Sequence, residues 1–202
     1  MKVLRLLAGV AIGIVLFASC NSAKKTSQDT ANGRKKDPES ADAALKIGIM
    51  LDKLATDLVS ATTGKADIFR TGEGINITFQ PDFYFESNSE QLTPDAKNLL
   101  TEVSGVLNRY PYTEVFIEGH ADSSGNQLKN KKLSENRAKS VALYIKSQGV
   151  MADRLAIAGY GATRPVASNE TPDGRRQNRR VLVKIRANEK KFIASKIQVA
   201  SK

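Results

Sequence analysis

Glu114-Val115-Phe116-Ile117-Glu118-Gly119-His120-Ala121-Asp122 is the stretch on which the fold turns. Its apolar centre, Val115 to Ile117, reads as a strand over 114–121, and Asp122 falls at the carboxyl end. Upstream, Ile75-Asn76-Ile77-Thr78-Phe79 alternates with period two and predicts another strand. Thr93-Pro94 predicts a helix start, because Thr accepts from unpaired amides and Pro fits the first helical position. Ala96, Leu99, Leu100, Val103 and Leu107 follow at helical spacing, and Pro111 stops the helix. Downstream, Ser134 is expected to cap a second helix with Ala138, Val141, Ala142 and Ile145 on one face and Gly149 at its end. Residues 155–158 and 181–185 predict two short strands. The order is β-α-β-α-β-β. Two helices can cover one face of a mixed sheet, which makes a two-layer α+β domain over 74–187.

The chain has 202 residues, 31 Lys+Arg against 21 Asp+Glu, and a formal charge of +10. Hydrophobic residues are 41% and charged residues 26%, globular proportions that exclude collagen-like and wholly disordered chains. The charge is spread thinly: +2 over 1–19, +2 over 20–70, +3 over 71–187 and +3 over the basic tail 188–202. No segment is a dense polycation, so nucleic acid is not an expected partner. The densest basic run, 175–186, reads as an edge strand with solvated charges, one or more of which can serve an anionic ligand. One Cys and one His exclude an intrachain disulfide and the usual Cys/His zinc site. No metal or cofactor is expected.

Met1 to Arg5 is short and basic, and residues 6–19 carry no charge. That length suits a secretory signal and is short for a spanning helix, which needs ~20 apolar residues. The run ends in Leu16-Phe17-Ala18-Ser19-Cys20. Small residues before a Cys resemble the bacterial lipoprotein signal, in which that Cys becomes the acylated first residue. The resemblance implies a signal peptide over 1–19 and lipid on Cys20. It prefers Leu where Phe17 stands. Asn21 follows the Cys, and no Asp holds the second place to retain the protein in the inner membrane. Residues 20–40 are polar and read as a flexible tether. Residues 41–60 read as an amphipathic helix, with Leu45, Ile49, Leu51, Leu54, Leu58 and Val59 on a broad stripe. That helix and a glycine-marked connector fill 41–73. A chain of ~50 extended residues between lipid and domain reaches over ~150 Å.

Three separated motifs then carry a family resemblance. Glu118-Gly119-His120-Ala121-Asp122, with Gly125, Asn130, Leu133-Ser134 and Arg137-Ala138, is similar to the core signature of the OmpA/MotB carboxy-terminal family. Phe85 to Ser89 before Leu92-Thr93-Pro94 resembles its first motif. Gly159-Tyr160-Gly161, Pro165 to Ala167, Asn169, Thr171 and Gly174 to Val181 resemble its last. The resemblance covers 75–187, and the lipoprotein signal makes it of the peptidoglycan-associated lipoprotein type.

The resemblance implies non-covalent binding of peptidoglycan through the diaminopimelate of the stem peptide. That group carries an ammonium and a carboxylate on one carbon, so its site needs an anion and a cation close together. Asp122 at the strand end would receive the ammonium. Arg137, expected in the first turn of the next helix, would grip the carboxylate with two parallel hydrogen bonds, helped by the helix amino end. The family pattern adds Asn88, Ser124 and Asn130 as polar liners and Arg179 as a second cation. From spacing alone, Asp122 and Arg137 read more readily as a structural salt bridge than as a ligand site, and Asn130 is also readable as a turn former; the family resemblance is what turns the reading toward a ligand.

The expected role is a non-enzymatic outer-membrane anchor whose domain faces the periplasm and holds the cell wall. An alternative is a periplasmic adaptor that docks protein partners on the same domain, with wall binding weak or absent. A motor component like the MotB relatives needs a spanning helix with a functional acid, which residues 6–19 lack. A hydrolase built on His120 with Ser123 or Ser124 needs an oriented base and an oxyanion site, which nothing in the sequence marks.

Overall fold

The computed structural model describes residues 38–62, 65–79, 84–86 and 89–200, with side chains from 41 to 196 within those ranges. The expected signal run, Cys20, the tether as far as residue 37, and Asn88 lie outside them. The elements are α1 (Pro38–Thr62), β1 (Asp67–Thr71), β2 (Gly74–Phe79), α2 (Pro94–Arg109), β3 (Thr113–His120), α3 (Gln127–Ser147), a 3₁₀ turn (Ala152–Arg154), β4 (Leu155–Gly161), α4 (Pro172–Asn178), β5 (Arg180–Ala187) and α5 (Glu189–Ala200). The sheet order is β1-β2-β5-β3-β4. Only β3 and β4 run parallel, so the sheet is mixed, and the α+β class holds.

Register puts alternate side chains on one face. Ile77 pairs with Val183, which pairs with Ile117, and Ile75, Val115 and Ile185 form the neighbouring row. All six are buried under α2 and α3, which contribute Leu99, Leu100, Val103, Leu107, Ala138, Val141 and Ile145. Each fully buried Leu or Ile contributes ~1.5–3 kcal/mol. Thr93 accepts the Ala96 amide at 3.1 Å, the cap that its position before Pro94 predicts. Gly149, just past α3, has φ +93, a conformation that favours glycine at a helix end.

The structure departs from the sequence reading in four places. The basic run is not an edge strand. Its first half is α4, and its second half is β5, which lies inside the sheet between β2 and β3. Lys184 and Arg186 lie on the face away from the helices, paired with Glu118 and Glu73, so an interior strand tolerates them. The true edge on one side is β1, which the sequence reading does not contain. In β1 only Ile68 packs on the core, and Phe69 is exposed. Helix α1 runs longer than 41–60, and its buried stripe is Ile47, Leu51, Leu54 and Leu58, against α2. Leu45, Ile49 and Val59, counted in the expected stripe, face solvent. The fourth departure, the start of α3, bears on the site. Among the described residues no helix is long and apolar enough to cross a membrane.

Candidate functional site

Helix α3 starts at Gln127, where the Asn126 side chain accepts the Lys129 amide at 3.0 Å. Ser134 is therefore not a cap. It is buried inside the helix, donates to the Lys131 carbonyl and accepts the Gly161 amide at 2.9 Å, tying α3 to β4. The helix lies so close to the sheet that a Cβ on Gly119 would sit 1.9 Å from the Ser134 carbonyl oxygen. One on Gly159 would sit 2.5 Å from the Glu135 amide. Only glycine fits at either place. Arg137 is consequently the eleventh residue of α3, not a first-turn residue. A helix macrodipole fades within its first turn, so the expected help from the helix end does not reach Arg137.

At the end of β3 the register with β4 shifts between Gly119 and His120. Such irregularities re-aim the chain beside sites. Asp122 follows, 8% exposed. Its Oδ1 accepts the Ser124 amide at 2.8 Å, and its Oδ2 accepts from Arg179 Nη1 at 2.8 Å. Burial pushes this carboxyl up, but the hydrogen bonds from Arg179 and Ser124 outweigh burial and hold it below its ordinary value. Asn130 Nδ2 donates to the Asp122 carbonyl at 3.2 Å and to the Ser124 carbonyl at 2.6 Å, closing the loop between β3 and α3. Four of the sequence-derived residues, Asp122, Ser124, Asn130 and Arg179, therefore form one cluster.

Arg137 sits seven residues beyond Asn130 on the same helix face, about 10.5 Å along the axis. It is 9% exposed. Its Nε donates to the Ser89 carbonyl at 3.0 Å, and its guanidinium lies 5.0 Å from the Phe85 ring centroid. The ion-pair partner of Asp122 is Arg179 rather than Arg137. The loop of the first motif thus meets α3 at Arg137.

Two residues given no role by the sequence reading brace the cluster. Asn178, fully buried, accepts the Val166 and Ala167 amides and donates to the Ala167 carbonyl and to Asn169 Oδ1 at 2.9 Å. Asn169 Oδ1 also accepts the Ser123 amide at 3.2 Å, so the loop before α4 is bonded to the Asp122 loop. Their membership of the third motif was the available signal. His120 is buried and stacks on Tyr160, with centroids 5.4 Å apart. Among the described residues neither of its ring nitrogens has a hydrogen-bond partner, so no serine is engaged as in a hydrolase. Burial, then the charges of Arg180, Lys184 and Arg164, push its pKa down to about 3.

An ionised, braced carboxylate paired with the Arg179 guanidinium can receive a cationic group, and Arg137 lies further along the same helix face as Asn130. Residues 84–179 match the family described as OmpA family, and that segment is an OmpA-family domain. The chain is 38% identical over 136 residues to "Probable lipoprotein YiaD" of Escherichia coli, covering 67% of this chain and 62% of that protein. It is 38% identical over 111 residues to "Outer-membrane lipoprotein YfiB" of Pseudomonas aeruginosa, covering 55% of this chain and 66% of that protein. The matches thus span under two thirds of either relative's length. Among solved structures, the cell wall anchor of the T6SS from Pseudomonas aeruginosa matches with a TM-score of 0.58 at 27% identity, covering 68% of this chain and 96% of that one.

Proposed function

We propose that this protein is an outer-membrane lipoprotein, acylated at Cys20 after removal of 1–19, that binds peptidoglycan without covalent bonds and tethers the membrane to the wall. The ligand group is the diaminopimelate of the stem peptide, and the OmpA-like domain over 74–187 receives it in the periplasm. Asp122 takes the ammonium and Arg137 the carboxylate. Asn130, Ser124 and Arg179 shape the carboxylate's surroundings, and Asn88 joins them from the first motif. The observation that carries this reading is Asp122, buried and kept ionised by Arg179 and the Ser124 amide at a strand end. A ligand ammonium then meets a charge already formed and oriented, and a guanidinium that is displaced or shared. The names of the relatives, an outer-membrane lipoprotein and a cell wall anchor, support the same reading. Binding chemistry is all that the proposal requires; no bond is made or broken.

The test is sedimentation of the 36–202 unit with purified sacculi, with free diaminopimelate as competitor. Wild type is expected in the pellet and is released by the competitor. If wild type stays in solution while a periplasmic protein co-purifies through the same cluster, the adaptor reading replaces this one.

A further inference from the structure

The candidate site lies at the carboxyl end of β3. Tyr110 precedes the other end of that strand, and an eight-residue strand puts about 26 Å between the two. At that far pole α1 and α5 flank a groove of about 450 Å³, floored by Ile49, Met50, Tyr110 and Phe192 and rimmed by Lys46, Lys53 and Lys196. The apolar surface continues outside it at Leu45, 64% exposed, one turn from Ile49, itself 61% exposed. Lys46 is tied to Asp42, and the nearby Asp57 is tied to Tyr110 and Arg109. Lys53 and Lys196 make no ion pair among the described residues. Apolar side chains ringed by ammonium groups match a surface that is greasy beneath and anionic above.

We propose that this α1–α5 pole docks on the surface of an anionic phospholipid bilayer. Leu45 and Ile49 enter the acyl boundary, and Lys53 and Lys196 meet the phosphates. Helix α1 begins only eighteen residues after Cys20, so the docked helix is the part of the folded unit with the shortest chain to that position. Docking at this pole turns the Asp122 cluster away from the bilayer. The inference does not depend on what that cluster binds.

Residues 36–202 form one compact unit containing the whole described core, so this unit can be assayed without an anchor. It is floated with vesicles of equal parts phosphatidylcholine and phosphatidylglycerol, and with phosphatidylcholine alone. The wild-type unit is expected to float with the anionic vesicles only. Lys53→Glu with Lys196→Glu lowers the affinity for the anionic vesicles at least about thirtyfold, since each of the two lost charges is worth roughly 1 kcal/mol near an anionic surface. Ile49→Ser lowers it as well. These side chains are exposed, and circular dichroism verifies the fold of each variant. Asp122→Asn leaves flotation unchanged, which separates failure here from failure at the wall site. Absence of flotation with anionic vesicles overturns the proposal, as does flotation indifferent to the lysine and Ile49 variants. A concentration-dependent dimer that Ile49→Ser dissolves, without vesicle binding, also overturns it and assigns the groove to a second copy.

Discussion

Two effects oppose each other at Asp122, burial against the hydrogen bonds of Arg179 and Ser124, and the bonds win. The folded-state pKa is therefore lowered, so the carboxylate is charged from neutral pH down past its ordinary value and is lost only as pH falls through the lowered one. Wall binding that depends on it should be flat between pH 7 and pH 4; a loss centred near pH 6 would implicate another group. Asp122→Asn removes a charge-assisted bond worth about 1.5–3 kcal/mol, an expected loss of about 10- to 100-fold in affinity. His120 is the opposite case. Its folded pKa is pushed down to about 3, so below pH 6.5 the unfolded chain takes up a proton that the folded chain refuses. Stability should fall with pH between 6.5 and 3, by up to ~1.4 kcal/mol per unit from this residue. Urea unfolding at several pH values reads it as the difference in slope between wild type and His120→Phe. Parallel slopes would remove His120 from the account.

Arg154 shows what joins the elements. Its guanidinium, 5% exposed, donates to the Leu107, Tyr110 and Thr113 carbonyls and to Thr113 Oγ1, so it closes the end of α2 onto the start of β3. Arg154→Met removes these buried, charge-assisted hydrogen bonds, although the Leu107 carbonyl keeps the Tyr110 amide and the Tyr110 carbonyl keeps the Thr113 hydroxyl, and should cost roughly 2–4 kcal/mol in chemical unfolding; a cost under half a kcal/mol would mean that water replaces the side chain. Gly119→Ala drives α3 off the sheet and should abolish wall binding even in a variant that remains folded. Local chemistry made the ends of α2 readable, since Thr93, Pro94 and Pro111 act within one turn. The start of α3 was misplaced because Ser134 is also a cap residue by type, and only its bond to Gly161, twenty-seven residues away, assigns its role. The interior place of β5 was likewise not readable, because a strand's neighbours are set by distant pairing, and its basic residues resemble an edge. The buried stripe of α1 was only half legible, because which apolar residues face inward depends on where α2 lies.

Over the whole molecule, the Asp122 cluster, proposed here to bind the wall, and the α1–α5 groove, proposed to dock on the bilayer, lie toward opposite ends of β3, as the two proposals together require. Asp122, Ser124 and Asn130 fall within nine residues and Arg179 comes from 49 residues further on, and their grouping was legible only through motifs in register, not from periodicity. The bracing by Asn169 and Asn178 was hidden because an amide side chain announces no partner until the loops are folded. The most direct measurement is co-sedimentation of the 36–202 unit with sacculi, beside Asp122→Asn and Arg137→Ala, each verified as folded. The expected result is wild type in the pellet, released by free diaminopimelate, and both variants in solution. Pelleting of both folded variants as fully as wild type would contradict the assignment of this cluster as the wall-binding site.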